Sequence, residues 1–317
     1  MMMSEPTVLI LTNKEDVTSD YVILELQKQK IPYYRLNTED YPQKLAFDFD
    51  LYKKSFLINH NGKMINLKNL KSIYYRRPKF RFKAGDKDLE EFYNRELNHA
   101  LIGSLLSLNI LWLNNPLSNR NAEFKIQQLS LAKKIGFRVP RTIISMNKKN
   151  ITDFYNTHKM IIAKSLKKGF IDGKNGGVIY TSKIEKDDID DDRIESFPTL
   201  FQEGLSKECD IRVTIVGDNI FSTKINSQEV ENSIVDWRRE QENIPKHTKT
   251  VIPKRIENLC FEITKKYKLV FSAIDLVKTK NDEFYFLELN PNGQWAWIEE
   301  QTGYQITEKL VEVLKNG

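Results

Sequence analysis

Two apolar runs near the C-terminal end constrain this chain more than any other feature. They are Phe271-Ser272-Ala273-Ile274-Asp275-Leu276-Val277 and Phe284-Tyr285-Phe286-Leu287-Glu288-Leu289-Asn290, with the polar stretch Lys278-Thr279-Lys280-Asn281-Asp282-Glu283 between them. This pattern reads as a β-hairpin. With Asn281-Asp282 as a two-residue turn, Lys280 pairs with Glu283, and counting outward sets Asp275 opposite Glu288. Directly opposed residues share a face, with Cβ atoms roughly 5 Å apart. Asn290, two residues beyond Glu288, points to that same face. Two like charges so placed repel. A hard divalent cation reverses the sign, and Mg²⁺ held by carboxylates together with nucleotide phosphates fits these ligand types. Asp275, Glu288 and Asn290 are therefore the candidate metal ligands.

The length of 317 residues allows two or three packed units. No apolar stretch approaches the ~20 residues of a membrane span, and no basic segment followed by a long apolar one opens the chain. Two cysteines, Cys209 and Cys260, make no disulfide framework, so a reducing cytoplasm is the expected compartment. The formal charge of +6 suits anionic small molecules or an acidic peptide. With no basic stripe and no known module, nucleic acid is not an expected partner.

Along the chain, Thr7-Val8-Leu9-Ile10-Leu11 reads as a buried strand, followed by a helix over 19–30 and a second strand from Ile31. This β-α-β opening predicts a small α/β domain. It lacks the Gly-x-Gly-x-x-Gly turn of a dinucleotide site. Asn61-Gly62 between apolar runs predicts a hairpin. A strand at 72–75, a helix over 88–108 and a strand at 110–113 complete the unit, which closes at Asn114-Asn115-Pro116. A helix over 122–134 opens the next. The strand Met160-Ile161-Ile162-Ala163-Lys164 then runs into a glycine- and lysine-rich loop, 167–177. The acidic stretch 186–193 reads as a solvated loop or helix edge. Two antiparallel strands, 210–216 and 219–226, turn at Gly217-Asp218, and a helix over 254–267 precedes the hairpin. The expected domains are 1–115, 116–200 and 201–317.

A lysine at the end of a strand, as Lys164 is, reaches phosphates as a point charge. Glycines in the following loop let backbone N–H groups approach phosphate oxygens, and such a loop can close over a site. An ordinary flexible turn accounts for the loop equally well; the Walker spacing is absent. Asp210, Arg212 and Thr214 alternate with Ile211, Val213 and Ile215, so they share a face. With Lys224 on the partner strand, Arg212 could flank a transferring phosphate; solvated surface strands are the alternative.

Joined in order, these pieces resemble the ATP-grasp superfamily: a strand lysine, a glycine-rich lid, Gln202-Glu203-Gly204-Leu205, an Asp-Ile-Arg strand, a lysine, then Asp275 and Glu288-x-Asn290. The resemblance covers 116 to the C-terminal end, with the α/β unit ahead of it. A closer resemblance is to the microviridin-type peptide ligases, or graspetide synthetases. It is carried by Tyr74-Tyr75-Arg76-Arg77-Pro78, Phe201-Gln202-Glu203, Asp210-Ile211-Arg212-Val213-Thr214, Asp236-Trp237-Arg238 and Leu289-Asn290-Pro291-Asn292-Gly293-Gln294-Trp295. Within the group the chain is most similar to the plesiocin-type enzyme.

The resemblance implies an α/β ATP-grasp fold with three lobes: an N-terminal α/β domain, a central lid-bearing lobe and a C-terminal lobe. It implies an ATP- and Mg²⁺-dependent ligase acting on a precursor peptide made of a leader and an acidic core. Asp or Glu side chains would be activated as acyl phosphates and joined to Ser or Thr hydroxyls, or in related members to Lys. Arg212 and Lys224 carry the catalytic expectation. Lys125, Lys164, Gly169, Gly176, Gly177, Gln202, Glu203, Leu205 and Glu208 would bind the nucleotide, the last at the ribose hydroxyls, and Lys174 would meet phosphate on lid closure. Arg76, Arg77, Arg238, Arg239 and Asn292 are the substrate candidates. Arg76 and Arg77 could instead anchor the first domain on the second, and Asp236 could claim one of Arg238 and Arg239. His247 is either a hydroxyl-activating base or a surface histidine. The leader would dock within 141–197, and a homodimer is usual in the family. Two other functions compete: a ligase adding an amino acid to a protein tail, and a non-catalytic ATP-binding regulator.

Overall fold

The computed structural model describes residues 5–53, 55–167, 170–171, 177–239 and 243–317. Val8–Thr12 is buried along its whole length, as a near-continuous apolar run demands when both faces of a parallel sheet are covered. It is flanked by Tyr33–Asn37 and Ser72–Tyr75, and Leu111–Leu113 completes a four-stranded parallel sheet. Helices Val17–Lys28 and Lys87–Leu106 make the long crossovers that parallel strands require. Asp16 caps the first by accepting the Ser19 N–H.

The Asn61-Gly62 hairpin forms between Ser55–His60 and Lys63–Asn66. Both turn residues have positive φ, 51° and 79°, which is the type I′ geometry that matches strand twist. A third strand, Leu45–Asp50, joins it. The sequence reading assigned nothing there, although Leu45, Phe47 and Phe49 alternate with Ala46, Asp48 and Asp50.

The expected helix over 122–134 forms as Lys125–Ile135, and a separate short helix, Pro116–Ala122, precedes it. The break at 123–124 places Lys125 at the first turn of the second helix, which Gly136 ends at φ 108°. The central sheet is antiparallel, ordered Ser182–Ile184, Ile161–Lys164, Thr199–Glu203, Thr142–Ser145. Helix Lys148–His158 packs on it through Ile151. The acidic stretch forms a short helix, Lys186–Asp190, whose Ile189 is buried in the same cluster.

The C-terminal sheet runs His247–Lys249, Asn219–Ile225, Lys207–Val216, Phe271–Thr279, Phe284–Asn290, all antiparallel. One face buries Ile211, Val213, Leu276 and Phe286 against helices Lys125–Ile135 and Lys254–Lys266. Toward the other, Val216, Phe271 and Ala273 join one cluster with Trp295, Leu310 and, from the N-terminal unit, Val8, Ile10 and Tyr74. The first and last units thus share a core. The carboxyl ends of the parallel strands, where open α/β sheets present ligand sites, face the C-terminal hairpin. Among the described residues no helix is long and apolar enough to cross a membrane.

Candidate active site

Asp275 pairs with Glu288, and Asn290 with Ala273. The turn is not the expected one. Lys278 pairs with Phe284, Thr279 N–H donates to Glu283 O, and Asp282 takes φ 59°. This is the longer loop with a left-handed closing residue. It alone would offset the arms by one residue and turn Glu288 away from Asp275. A bulge between Leu276 and Asp275 restores the register. On the other side Arg212 pairs with Asp275, and its Nη1 donates to Asp275 Oδ1 at 2.7 Å.

Two full charges about 5 Å apart repel by roughly 3 kcal/mol at an effective dielectric near 20. The pair resists carrying both. Burial pushes the Asp275 carboxyl up, against the pull of Arg212 and with Glu288 adding to the rise. Burial also works to raise Glu288, but Lys125, Arg238 and Lys164 outweigh it and hold the carboxyl below its ordinary range. Lys125 Nζ lies 3.2 Å from Glu288 Oε2 and donates to Ser165 O at 2.9 Å. Asn290 Oδ1 accepts the Asn292 N–H at 3.0 Å. Among the described residues no three His, Cys, Asp or Glu side chains gather as a metal cluster. Two carboxylates and an amide suit Mg²⁺, which takes one or two protein carboxylates and completes its shell with phosphate oxygens and water.

Asp275, Glu288, Asn290, Lys125 and Lys164 line a cleft of about 1320 Å³ between the lobes, and Arg212 is buried behind Asp275, outside that lining. Lys164 Nζ donates to Gln202 Oε1 at 2.9 Å, and Gln202 Nε2 donates to Thr142 Oγ1 at 3.0 Å, so the lysine is held at the end of a relay. Burial pushes its ammonium down to about 8. Glu203 and Leu205 line the cleft. The Glu203 carboxylate accepts the Arg141 N–H at 2.8 Å and stands 3.4 Å from His158, and the Glu203 N–H donates to Arg141 O at 2.9 Å, so its carbonyl oxygen is the group it can offer a ligand. Gly177 begins the second strand of a two-residue ladder, opposite Ile171. Gly169, Lys174 and Gly176 lie outside the described residues. Arg77, Arg238 and Asn292 line the cleft. Arg238 is paired there with Asp236, whose carboxylate accepts from its Nε at 2.8 Å and its Nη2 at 2.7 Å.

Five expected site residues are placed elsewhere. Lys224 pairs across the ladder with Ile211, whereas Arg212 pairs with Thr223. The two cations therefore leave opposite faces of the sheet; counting alternation within each strand did not set the parity between strands. Glu208 sits at a bulge between Lys207 and Cys209, away from the cleft lining, and binds Lys278 at 2.8 Å and Lys224 at 3.5 Å. Arg76 is 2% exposed, and its bonds go to protein groups, Gly293 O among them. Arg239 donates to Thr181 O at 2.7 Å and Ser182 Oγ at 2.8 Å. His247 is neither on the surface nor in the cleft lining. It is buried against Trp237 and Trp297, with ring centroids 5.8 and 4.7 Å away, and burial lowers its pKa.

A profile of the RimK-like ATP-grasp domain matches residues 122–314, and one of the MvdD pre-ATP grasp domain matches residues 7–120. The chain belongs to the RimK-like ATP-grasp family. A search of curated protein sequences finds no match. Among solved structures, the macrocyclase MdnC bound with precursor peptide MdnA, from Microcystis aeruginosa MRC, is 27% identical with a TM-score of 0.86, covering 98% of this chain and 99% of that one. A Chryseobacterium gregarium RiPP-associated ATP-grasp ligase in complex with ADP and a leader and core peptide is 27% identical with a TM-score of 0.88, covering 98% and 97%. The ATP-grasp ligase PsnB, complexed with a precursor variant, Mg and ADP, is 18% identical at a TM-score of 0.79, covering 98% of each chain. That last likeness establishes the shared fold.

Some residues of this ATP-grasp site escaped the sequence reading. Lys207 enters the cleft beside Asp210, at 3.1 Å; a lysine next to a bulge carries no parity signal. Gln128 donates to Leu289 O and accepts the Leu289 N–H, both at 2.8 Å, and so covers the open edge of the strand bearing Glu288 and Asn290. Asn119 lines the cleft, is 3% exposed, and neither atom of its amide has a protein partner. Only the fold brings these polar side chains to the site.

Proposed function

We propose that this protein is an ATP-dependent peptide macrocyclase. It activates Asp or Glu side chains of a ribosomally made precursor and joins them to Ser or Thr hydroxyls. The observation that carries this reading is the cross-strand pair Asp275 and Glu288 with Asn290 beside it in one cleft that Lys125 and Lys164 also line, with the buried Arg212 bonded to Asp275 from behind. The match to both family profiles and the likeness to MdnC along the whole chain support it.

Asp275, Glu288 and Asn290 would hold Mg²⁺, which when bound would supply positive charge to offset that of the nucleotide phosphates. Lys164, fixed by Gln202, holds the phosphates of ATP. The backbone at Glu203 and Leu205 receives the adenine. The substrate carboxylate attacks the γ-phosphate, giving an acyl phosphate and ADP. Arg212 stabilises the charge on the acyl phosphate and on the adduct that the hydroxyl forms; phosphate then leaves as the ester closes. Arg238 and Asn292 face the core peptide, and Asn119 offers it an unpaired donor and acceptor. The leader docks on the central lobe, where the edge strand Thr142–Ser145 and helix Lys148–His158 form a groove lined by Ile143, Ile144 and Phe154. The working form is a cytoplasmic homodimer.

The test uses a candidate precursor peptide with a leader and an acidic core, incubated with the protein, ATP and Mg²⁺. Loss of one water mass per bond, dependent on ATP, is the expected result, and release by mild base distinguishes ester from amide. A gain of a residue mass in the presence of free amino acids would overturn the proposal in favour of tail ligation.

A further inference from the structure

Four successive carbonyl oxygens in the loop after Asn290 are each held by a side chain from elsewhere. Asn114 Nδ2 donates to Pro291 O at 2.9 Å. Arg77 Nη2 donates to Asn292 O at 3.1 Å, Arg76 Nη1 to Gly293 O at 3.1 Å, and Arg212 Nη2 to Gln294 O at 3.2 Å. The first three donors come from the N-terminal unit, and the fourth is the guanidinium that binds Asp275. Arg76 adds a second bond, from Nη2 to Gln294 Oε1 at 2.8 Å, and Thr18 Oγ1 donates to the same oxygen at 2.7 Å. Asn114 also donates to Phe271 O and accepts the N–H groups of Val270 and Phe271. It therefore ties the loop to the start of the strand that carries Asp275.

The loop in turn bears on the metal ligands. Asn290 Oδ1 accepts the N–H of Asn292, the residue whose carbonyl Arg77 holds. Arg77 keeps a left-handed backbone, φ 50°, which a non-glycine residue adopts only under constraint; the Asn13 side chain supplies it by donating to Arg77 O at 2.6 Å. Arg76 is buried with Asp16 3.7 Å from its Nε, so its charge is compensated inside the N-terminal unit.

We infer that Arg76, Arg77 and Asn114 are positioning residues: the N-terminal unit clasps loop 291–294 and so sets the orientation of Asn290 and Arg212. This rests on the metal–nucleotide reading of the cleft. Groups that orient a metal ligand commonly govern affinity for the metal as well.

The experiment measures Mn²⁺ affinity by electron paramagnetic resonance in the presence of a non-hydrolysable ATP analogue, alongside KM for the precursor peptide. Arg77→Ala is expected to weaken Mn²⁺ binding roughly tenfold, the scale seen when an outer partner of a metal ligand is lost, with peptide KM unchanged. Arg77→Lys restores most of the affinity, since one donor suffices there. Arg76→Lys does not, because its guanidinium spans two acceptors that an ammonium on a flexible stem cannot span. Wild-type Mn²⁺ affinity in a folded Arg77→Ala protein, or a rise in peptide KM in its place, overturns the clasp. Failure of the wild-type chain to bind Mn²⁺ with the analogue overturns the underlying reading, and the clasp with it.

Discussion

Arg212 Nη1 donates to Asp275 Oδ1 at 2.7 Å, while Nη2 of the same guanidinium reaches Gln294 O at 3.2 Å. One planar side chain thus neutralises a candidate metal ligand and stays fixed by the backbone next to it. Arg212→Ala is expected to lower turnover by about 10²–10³, the range for loss of one donor to developing charge. Arg212→Lys should recover little, because an ammonium cannot keep both bonds in the guanidinium geometry. Single-turnover rates at saturating ATP check this, and near-wild-type rates for the lysine variant would contradict it.

Glu288→Gln keeps the shape and an acceptor for Lys125, but removes the charge that a divalent cation needs. ATP-dependent modification should stop. The melting temperature should move by no more than a few degrees, since relief of repulsion with Asp275 offsets the weakened pair with Lys125. Intact mass and a melting curve read both outcomes; unchanged turnover removes Glu288 from the metal site.

Lys164 titrates at about 8 in the free protein, below the ~10.4 of an exposed lysine. Only the charged form holds phosphate, so ATP affinity should fall as pH rises through 8. Bound phosphates raise the pKa again, so ATP binding near pH 8 should take up protons. The sign for stability is the opposite of a paired lysine. The fold disfavours the charged form, so this group's contribution to stability rises between pH 8 and the unfolded pKa. Calorimetry in two buffers of different ionisation enthalpy measures the uptake, and Lys164→Met should abolish it.

Gly293 has no room for a side chain. A Cβ there would lie 2.3 Å from Ala273 Cβ and 2.9 Å from Arg212 Nη2. Gly293→Ala should cost about 1–3 kcal/mol by overpacking and should slow turnover by displacing Arg212. Urea unfolding with parallel kinetics tests it; a variant with full stability and full rate would mean that the loop relaxes freely.

Asp236 is buried, and it accepts the Thr181 N–H at 3.0 Å as well as two bonds from Arg238. Burial acts to raise its pKa, but Arg238 and the backbone donors hold it well below the usual carboxylate range. Its contribution is therefore full above the unfolded value near 3.9 and lost as pH falls below it. Asp236→Ala should cost about 1–3 kcal/mol at pH 7. The difference from wild type should shrink in acid, as urea titrations at two pH values can establish.

Much of the fold was legible because its signals are local. The apolar run at Val8, the Asn61-Gly62 turn and Gly136 at a helix end each express a backbone preference that needs no distant partner. The opposition of Asp275 and Glu288 was also correctly anticipated, although by a different route. A two-residue turn and a longer turn followed by a one-residue bulge give the same pairing at that point, and a sequence cannot tell them apart. Lys224 shows where such counting ends. Period-two alternation says which residues of one strand share a face, while the face shared between strands depends on register, which the packed sheet sets. His247 and Glu208 went the same way, since burial and bulges are collective properties.

The sequence by itself determined most of the element types and the family, written in residue kind and spacing along the chain, and the opposition of Asp275 and Glu288, written in one short hairpin. The tertiary structure alone decided which cations serve the cleft and what Arg76 does. Arg76 and Gly293 are 217 positions apart in the chain, and only the apolar core shared by Val8, Ile10, Phe271 and Trp295 brings the guanidinium to within 3.1 Å of that carbonyl.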